Sequence, residues 1–293
     1  MVINEDLIRS WAPSRSDDGH KGTFGTALIV AGSKFMTGAQ TLAVSSCLRS
    51  GVGMVRVLAP EESYVSTRIS CPCALFSPYP QSVSGLLRET KEYLKRANSV
   101  LIGPGIDTKD SRSLALLSFF IENAPNLVID AGALSLLAHY EEELLTKLSD
   151  RINRGLTQAV LTPHIGEFKR LVHFEGDISY EELQVACEKY ANNNNCIVVL
   201  KSSNTIIQAP NKESYINIMA NSGMGKGGSG DVLAGLITGF LAQGIEPEVS
   251  AVSGVYIHGF AGCVAGSELG KRAMLPTDIV ENLSYAYSSV GWK

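Results

Sequence analysis

Apolar runs of strand length alternate with stretches of helical spacing along most of this chain, and that alternation narrows the possible folds more than any other feature. The runs fall at 27–31, 54–59, 99–103, 127–130 and 159–162, with helical stretches from Gly38 to Gly51, at 84–96 and at 110–123. In the first helical stretch Leu42, Ala43, Cys47 and Leu48 share a face. Strands and helices joined by short loops predict an α/β fold with a doubly wound, mainly parallel sheet flanked by helices. Ligands in such folds bind outside the carboxyl ends of the strands. Loops at 32–39, 103–107, 130–133 and 162–167 follow strands directly and are expected to meet along one edge.

Elsewhere the rhythm changes. Residues 4–11 read as a short amphipathic helix and 13–20 as polar surface chain, while Pro72, Pro78 and Pro80 predict irregular chain over 61–80. Short strands separated by turn residues near 196–218 predict an antiparallel extension of the sheet. Helices are expected at about 247–268 and 277–288. With no internal repeat, low-complexity tract or linker, residues 1–293 read as a single domain.

Residues 220–243 carry the densest chemistry. Glycines 223, 225, 227, 228 and 230 are expected to supply positive φ and close backbone approach, so that successive N–H groups form an anion cradle. Val232, Leu233, Leu236, Ile237, Phe240 and Leu241 make a helical stripe beyond it, placing the loop at a helix N-terminus that favours a phosphate. A carboxylate beside a bound anion repels it, so Asp231 makes chemical sense as a base taking a proton from a substrate hydroxyl. The glycine N–H groups and Lys226 would then hold charge on a transferring phosphoryl group. The plainer alternative is that Asp231 is the helix N-cap. Gly235 and Gly239, with Ala234, Thr238 and Ala242, form a small-residue face on which another backbone is expected to pack.

At 45% hydrophobic and 18% charged residues, the composition is that of a soluble globular protein. A net charge of −4 disfavours nucleic-acid and polybasic membrane surfaces. The chain has no uninterrupted apolar run of spanning length and no signal-peptide pattern at Met1–Asp6, so a cytoplasmic protein is expected. The six cysteines lack metal or redox spacing and read as reduced, mostly buried thiols. A Gly-x-x-x-x-Gly-Lys-Ser/Thr loop is absent.

Other groups stay open between two readings. Lys201, beside Ser202, Ser203, Asn204 and Thr205, is either a nucleotide contact or a solvated strand end. His164 is either a ligand contact or a helix-start histidine, and Glu167 caps that same helix. Asp130 either orients a metal-bound water or caps the next helix. His20, His139, His173 and His258 read as structural.

Taken together, His20-Lys-Gly-Thr-Phe-Gly25, Gly38-Ala39, Ile102-Gly-Pro-Gly105, Val128-Ile-Asp-Ala131, Leu161-Thr-Pro-His-Ile-Gly-Glu167, Lys201-Ser-Ser-Asn-Thr205 and Lys226-Gly-Gly-Ser-Gly-Asp-Val-Leu-Ala-Gly235 resemble the ADP/ATP-dependent NAD(P)H-hydrate dehydratase family of the ribokinase-like superfamily. The match runs in order across about 20–280 and, without the epimerase domain that family members often carry in front, looks like the stand-alone dehydratase. The resemblance implies a lyase that repairs NADHX and NADPHX: ADP or ATP phosphorylates the hydroxyl of the hydrated nicotinamide ring, and loss of phosphate restores the double bond. It implies Asp231 as catalytic base and Gly228, Ser229 and Gly230 as anion hole. It implies Ala39, Gly105, His164 and Asp231 as substrate contacts, and Lys201–Thr205, Lys226 and Gly230 as nucleotide contacts. Mg2+ is expected with the nucleotide, with no ligand cluster evident, and a homo-oligomer, commonly a tetramer, is implied. Gly132, Ile165 and Ser229 depart from the Asp, Pro and Thr the family often has. The rivals are a vitamin-precursor kinase of the same fold and a non-catalytic nucleotide-binding module.

Overall fold

The computed structural model describes residues 1–292. Helix α1 (Glu5–Ser10), capped by Asn4, precedes strand β1 (Thr26–Val30), helix α2 (Thr37–Arg49) and strand β2 (Met54–Ala59). Next come α3 (Tyr64–Ser70), β3 (Leu75–Pro78), α4 (Val83–Leu94), β4 (Ser99–Ile102), α5 (Ser111–Asn123) and β5 (Leu127–Ile129). Helices α6 (Gly132–His139) and α7 (Glu141–Ser149) lead to β6 (Val160–Leu161), α8 (Ile165–Leu171), α9 (Tyr180–Asn194) and β7 (Ile197–Leu200). Strands β8 (Thr205–Gln208) and β9 (Tyr215–Asn217) are followed by α10 (Ser229–Ala242), α11 (Pro247–Leu269), α12 (Pro276–Glu281) and α13 (Leu283–Ser289).

The nine strands of the described residues form one sheet in the order β3-β2-β1-β4-β5-β6-β7-β8-β9. Pairing is parallel from β3 through β7 and antiparallel for β7–β8 and β8–β9, as the alternation and the later hairpin residues predict. The central strands are buried on both faces, so β4 and β7 carry only apolar residues after Ser99. Two apolar layers result, one under α2, α10 and α11 and one under α5, α6 and α9.

The segment 61–80 is more regular than its prolines suggest, holding α3 and the edge strand β3. Pro72 falls just beyond the end of α3, and Pro78 ends a strand paired only with β2, so neither ring removes a needed hydrogen bond. The last predicted helix is two, α12 and α13, meeting at Asn282.

The small-residue face of α10 packs on α2 as expected. A Cβ on Gly235 would stand 2.1 Å from the Ala43 carbonyl oxygen, and one on Gly239 would stand 1.9 Å from Ser50 Oγ. Helix α11 is long and apolar enough to cross a membrane, yet 72% of its apolar window is buried inside the protein, where it backs α10 as a core helix. All six cysteines are free, and Cys47, Cys71, Cys187 and Cys196 are buried.

Candidate active site

The four strand-end loops meet. Gly32 N–H donates to the Pro104 carbonyl at 2.7 Å, Thr162 Oγ1 to Asp130 at 2.8 Å, and His164 bridges to Lys201. Beside them opens a cavity of about 820 Å³ between the carboxyl ends of β5–β7, the glycine loop and α11.

Helix α10 begins two residues earlier than the sequence suggests, and this removes the N-cap reading of Asp231. Gly228, at φ +107°, is the N-cap, so Asp231 is the third residue of the helix and caps nothing. Among the five loop glycines only Gly228 has positive φ. Others permit close approach: a Cβ on Gly223 would meet Met274 Sδ at 2.4 Å, and one on Gly230 would meet Lys201 Nζ at 2.9 Å. Gly230 and Asp231 sit in the first turn, where backbone N–H groups lack an upstream acceptor and can serve an anion. Ser229 Oγ is buried without a hydrogen-bond partner among the described residues.

Burial first, and then the nearby carboxylates Asp130 and Glu167, push the Asp231 carboxyl up to about 7, with Lys201 pulling the other way. A carboxylate that is half protonated near neutrality is suited to accept a proton. Lys201 Nζ donates to Asp130 Oδ1 at 2.9 Å, and its side chain is only 21% exposed. Burial alone would depress this ammonium, but Asp130, Glu167 and Asp231 together hold it above the usual lysine value. Asp130 itself is 1% exposed and neither caps α6 nor stands free, because its Oδ1 is taken by Lys201 and Thr162.

His164 lines the cavity and is also the N-cap of α8. Its Nδ1 accepts from the N–H groups of Gly166 and Glu167, while Glu167 Oε2 accepts from His164 N–H at 2.9 Å, a reciprocal capping box. Lys226 lines the cavity too, but its ammonium donates to the carbonyls of Arg272 (2.9 Å) and Met274, lashing the glycine loop to the segment after α11. Ser202, Ser203 and Thr205 line the cavity, with Ser202 Oγ bonded to the Asn204 carbonyl, and Asn204 lies off it at the hairpin tip. Ala39 and Gly105 do not line this cavity. They adjoin each other, a Cβ on Gly105 falling 3.2 Å from Ala39 Cβ. One turn beyond Ala39, Leu42 Cδ1 lies against Gly228, 2.5 Å from where a Cβ would be, so the pair flanks the glycine loop on the α2 side.

Two further groups line the cavity. His258, read as structural, is buried on α11 with Nε2 2.9 Å from the Ser229 carbonyl, and burial lowers it to about 4, so it is neutral and donates to the first turn of α10. Met219, Met224 and Val255 make an apolar wall of the cavity. Their positions carry no charge or periodic signal, and only the fold brings them together. Among the described residues no group of three His, Cys, Asp or Glu is arranged to hold a metal ion.

The site is therefore a glycine-rich loop at a helix start beside a carboxyl raised to about 7, and proteins of known family share the sequence and fold of the chain. A family model described as NAD(P)H-hydrate dehydratase matches residues 27–284. The chain is 31% identical over 266 residues to the ADP-dependent (S)-NAD(P)H-hydrate dehydratase of Neisseria meningitidis, covering 89% of this chain and 84% of that protein. It is 35% identical over 294 residues to the bifunctional NAD(P)H-hydrate repair enzyme of Moorella thermoacetica, covering 97% of this chain but 53% of that protein, so the chain spans about half the length of such relatives. The structure of the Bacillus subtilis ADP/ATP-dependent NAD(P)H-hydrate dehydratase co-crystallised with ATP/Mg2+ superposes with TM-score 0.79 at 25% identity, covering 98% of this chain and 97% of that one. The fold is the ribokinase-like one. With the model match spanning most of its length, the chain belongs to the NAD(P)H-hydrate dehydratase family.

Proposed function

We propose that the protein restores NADH and NADPH from NADHX and NADPHX in a reaction driven by ADP or ATP. The observation that carries this is Asp231, raised to about 7, in the first turn of α10 beside backbone N–H groups and the Lys201 ammonium. In this reading Asp231 takes the proton of the ring hydroxyl as its oxygen bonds to the terminal phosphoryl group, and the bond to the departing nucleotide breaks. The first turn of α10 holds the charge that develops on the transferring group. Loss of inorganic phosphate, with a proton from the adjacent ring carbon, then re-forms the double bond.

The family assignment and the names of the relatives support the substrate, and the ATP/Mg2+ co-crystal of the Bacillus subtilis protein supports the nucleotide. Lys201, Ser202, Ser203 and Thr205 on one side, and the Met219, Met224 and Val255 wall on the other, are assigned to the nucleotide, with His164, Ala39 and Gly105 on the substrate side. Lys226 acts in this reading by holding the glycine loop in place. The donor set does not suit a resident metal, because Lys201 already stands among Asp130, Glu167 and Asp231, so magnesium is assigned to the nucleotide phosphates. Residues 1–293 are proposed as one domain built on the single sheet, and the exposed Phe35, Val65 and Ile69 support a homo-oligomer.

The test mixes the purified protein with NADH hydrate, magnesium and ADP or ATP, and follows absorbance of the reduced nicotinamide. A nucleotide-dependent rise is expected in the wild type, slowed by about 100-fold or more in Asp231→Asn. No rise in the wild type overturns the dehydratase reading. Accumulation of a phosphorylated product without reduced nicotinamide would identify a kinase instead.

A further inference from the structure

One ammonium stands among three carboxylates in this site, and which of them holds it matters. Lys201, just past the end of β7, is within reach of the charges of Asp130 after β5, Glu167 on α8 and Asp231 on α10. Its Nζ bonds to Asp130 Oδ1 at 2.9 Å, and the same oxygen accepts from Thr162 Oγ1 after β6 at 2.8 Å. A single buried carboxylate oxygen thus laces three adjacent strand ends. Nζ also lies 2.9 Å from the position a Cβ would take on Gly230, one residue before Asp231. Asp231 accepts no hydrogen bond among the described residues.

We propose that Asp130 is a positioning residue for the reaction: by holding Lys201 against Gly230 it keeps the ammonium on the anion site and stops it from pairing with Asp231, whose carboxylate stays free to take a proton. The argument is geometric. A four-carbon lysine stem is flexible, and an ammonium released from its partner in a partly buried site moves to another carboxylate within reach. Of the two that remain, Glu167 already accepts the His164 N–H in the α8 cap, which leaves Asp231 as the one without a partner among the described residues. The other ionisable groups around the cavity are His164, Lys226, Lys271 and His258. Lys226 is held by backbone carbonyls, His258 is bonded to the Ser229 carbonyl, and His164 is engaged in the α8 cap. None of these three is free to take the place of Lys201 beside Asp231.

The proposal rests on Asp231 being the base, and its test is read without substrate, so that failure of the dehydratase assay and failure of this inference are separable. The Asp231 carboxyl is titrated by 13C NMR in the nucleotide-free protein, its signal assigned by its loss in Asp231→Asn. In Asp130→Asn, which keeps the side-chain shape, removal of one negative neighbour and release of Lys201 toward Asp231 both lower the midpoint, by about one pH unit or more. In Lys201→Met the midpoint moves upward instead. Thr162→Val leaves it in place, because both charges remain. If turnover is measurable, the acid limb of the kcat profile moves with these midpoints, and the plateau in Asp130→Asn falls by about 10- to 100-fold as the ammonium leaves its position. Near-UV circular dichroism reports whether each variant is folded, and whichever of Asp130→Asn and Lys201→Met folds reads the same link. A folded variant of either kind with an unmoved Asp231 midpoint overturns the proposal.

Discussion

At the residue scale, burial and the neighbouring carboxylates Asp130 and Glu167 hold the Asp231 carboxyl up at about 7 against the pull of Lys201. Asp231 stood out in the sequence because a carboxylate next to an anion cradle serves no purpose as a binder, and its place at the third position of α10 is consistent with that reading. Its raised pKa also has a thermodynamic consequence. A carboxyl whose folded pKa lies above its unfolded value, about 4, binds its proton more tightly when folded, so its penalty on stability is absent well below pH 4, grows as pH rises, and is complete above about 7. Asp231→Asn is therefore expected to be more stable than the wild type at pH 8 by on the order of 2 kcal/mol while losing turnover, with the difference shrinking toward pH 4. Denaturant midpoints at the two pH values check this, and an equal difference at both pH values would count against a raised Asp231. Arg151 gave no signal in the sequence. It is fully buried with no carboxylate partner among the described residues, and its guanidinium donates to the carbonyls of Phe120, Ile121, Ala124, Pro125 and Thr157, most of them at the negative end of α5. Arg151→Met is expected to leave those carbonyls unsatisfied and cost about 3–5 kcal/mol in urea unfolding.

At the element scale, periodicity located most helices and strands, and small residues announced a helix contact. Glycine inside a helix normally costs stability relative to alanine, by about 1 kcal/mol, so Gly→Ala in α10 would stabilise an isolated helix. Here the sign reverses. Gly235→Ala is expected to destabilise by about 2–3 kcal/mol, because its Cβ meets the Ala43 carbonyl oxygen and Ser46 Oγ on α2 and the backbone cannot yield. Gly38→Ala, with open space around it, is expected to be neutral or mildly stabilising, and thermal unfolding of the two variants side by side is the check. Two elements that the sequence did not predict, α3 and β3, lie at the sheet edge. There, prolines at element ends look like breakers in a linear reading but remove no hydrogen bond in the sheet.

At the scale of the whole molecule, the parallel order of β3 through β7 gathers the carboxyl ends of the strands on one side, and the glycine loop returns from far along the chain to close that side. A ligand that binds this cavity draws on β5, β6, β7, α10 and α11 together and is expected to stabilise them as a unit. ADP at about 100 times its Kd should raise the unfolding free energy by about 2.7 kcal/mol, read as an upward shift in Tm. Absence of any shift at millimolar nucleotide would argue that the cavity is not the nucleotide site.

By itself the sequence determined the alternation of strands and helices, the parallel sheet with its antiparallel end, and the glycine loop with Asp231 at the start of its helix, because these depend on residues close together in the chain. Only the tertiary structure decided what the isolated polar groups do. Lys201 is held by Asp130, 71 residues away; Lys226 ties down a loop 46 residues away; and His258 bonds to the carbonyl of Ser229, 29 residues away. Hydrogen bonds and ion pairs act over a few ångströms, and no local pattern encodes which distant partner the folded chain will bring within that range.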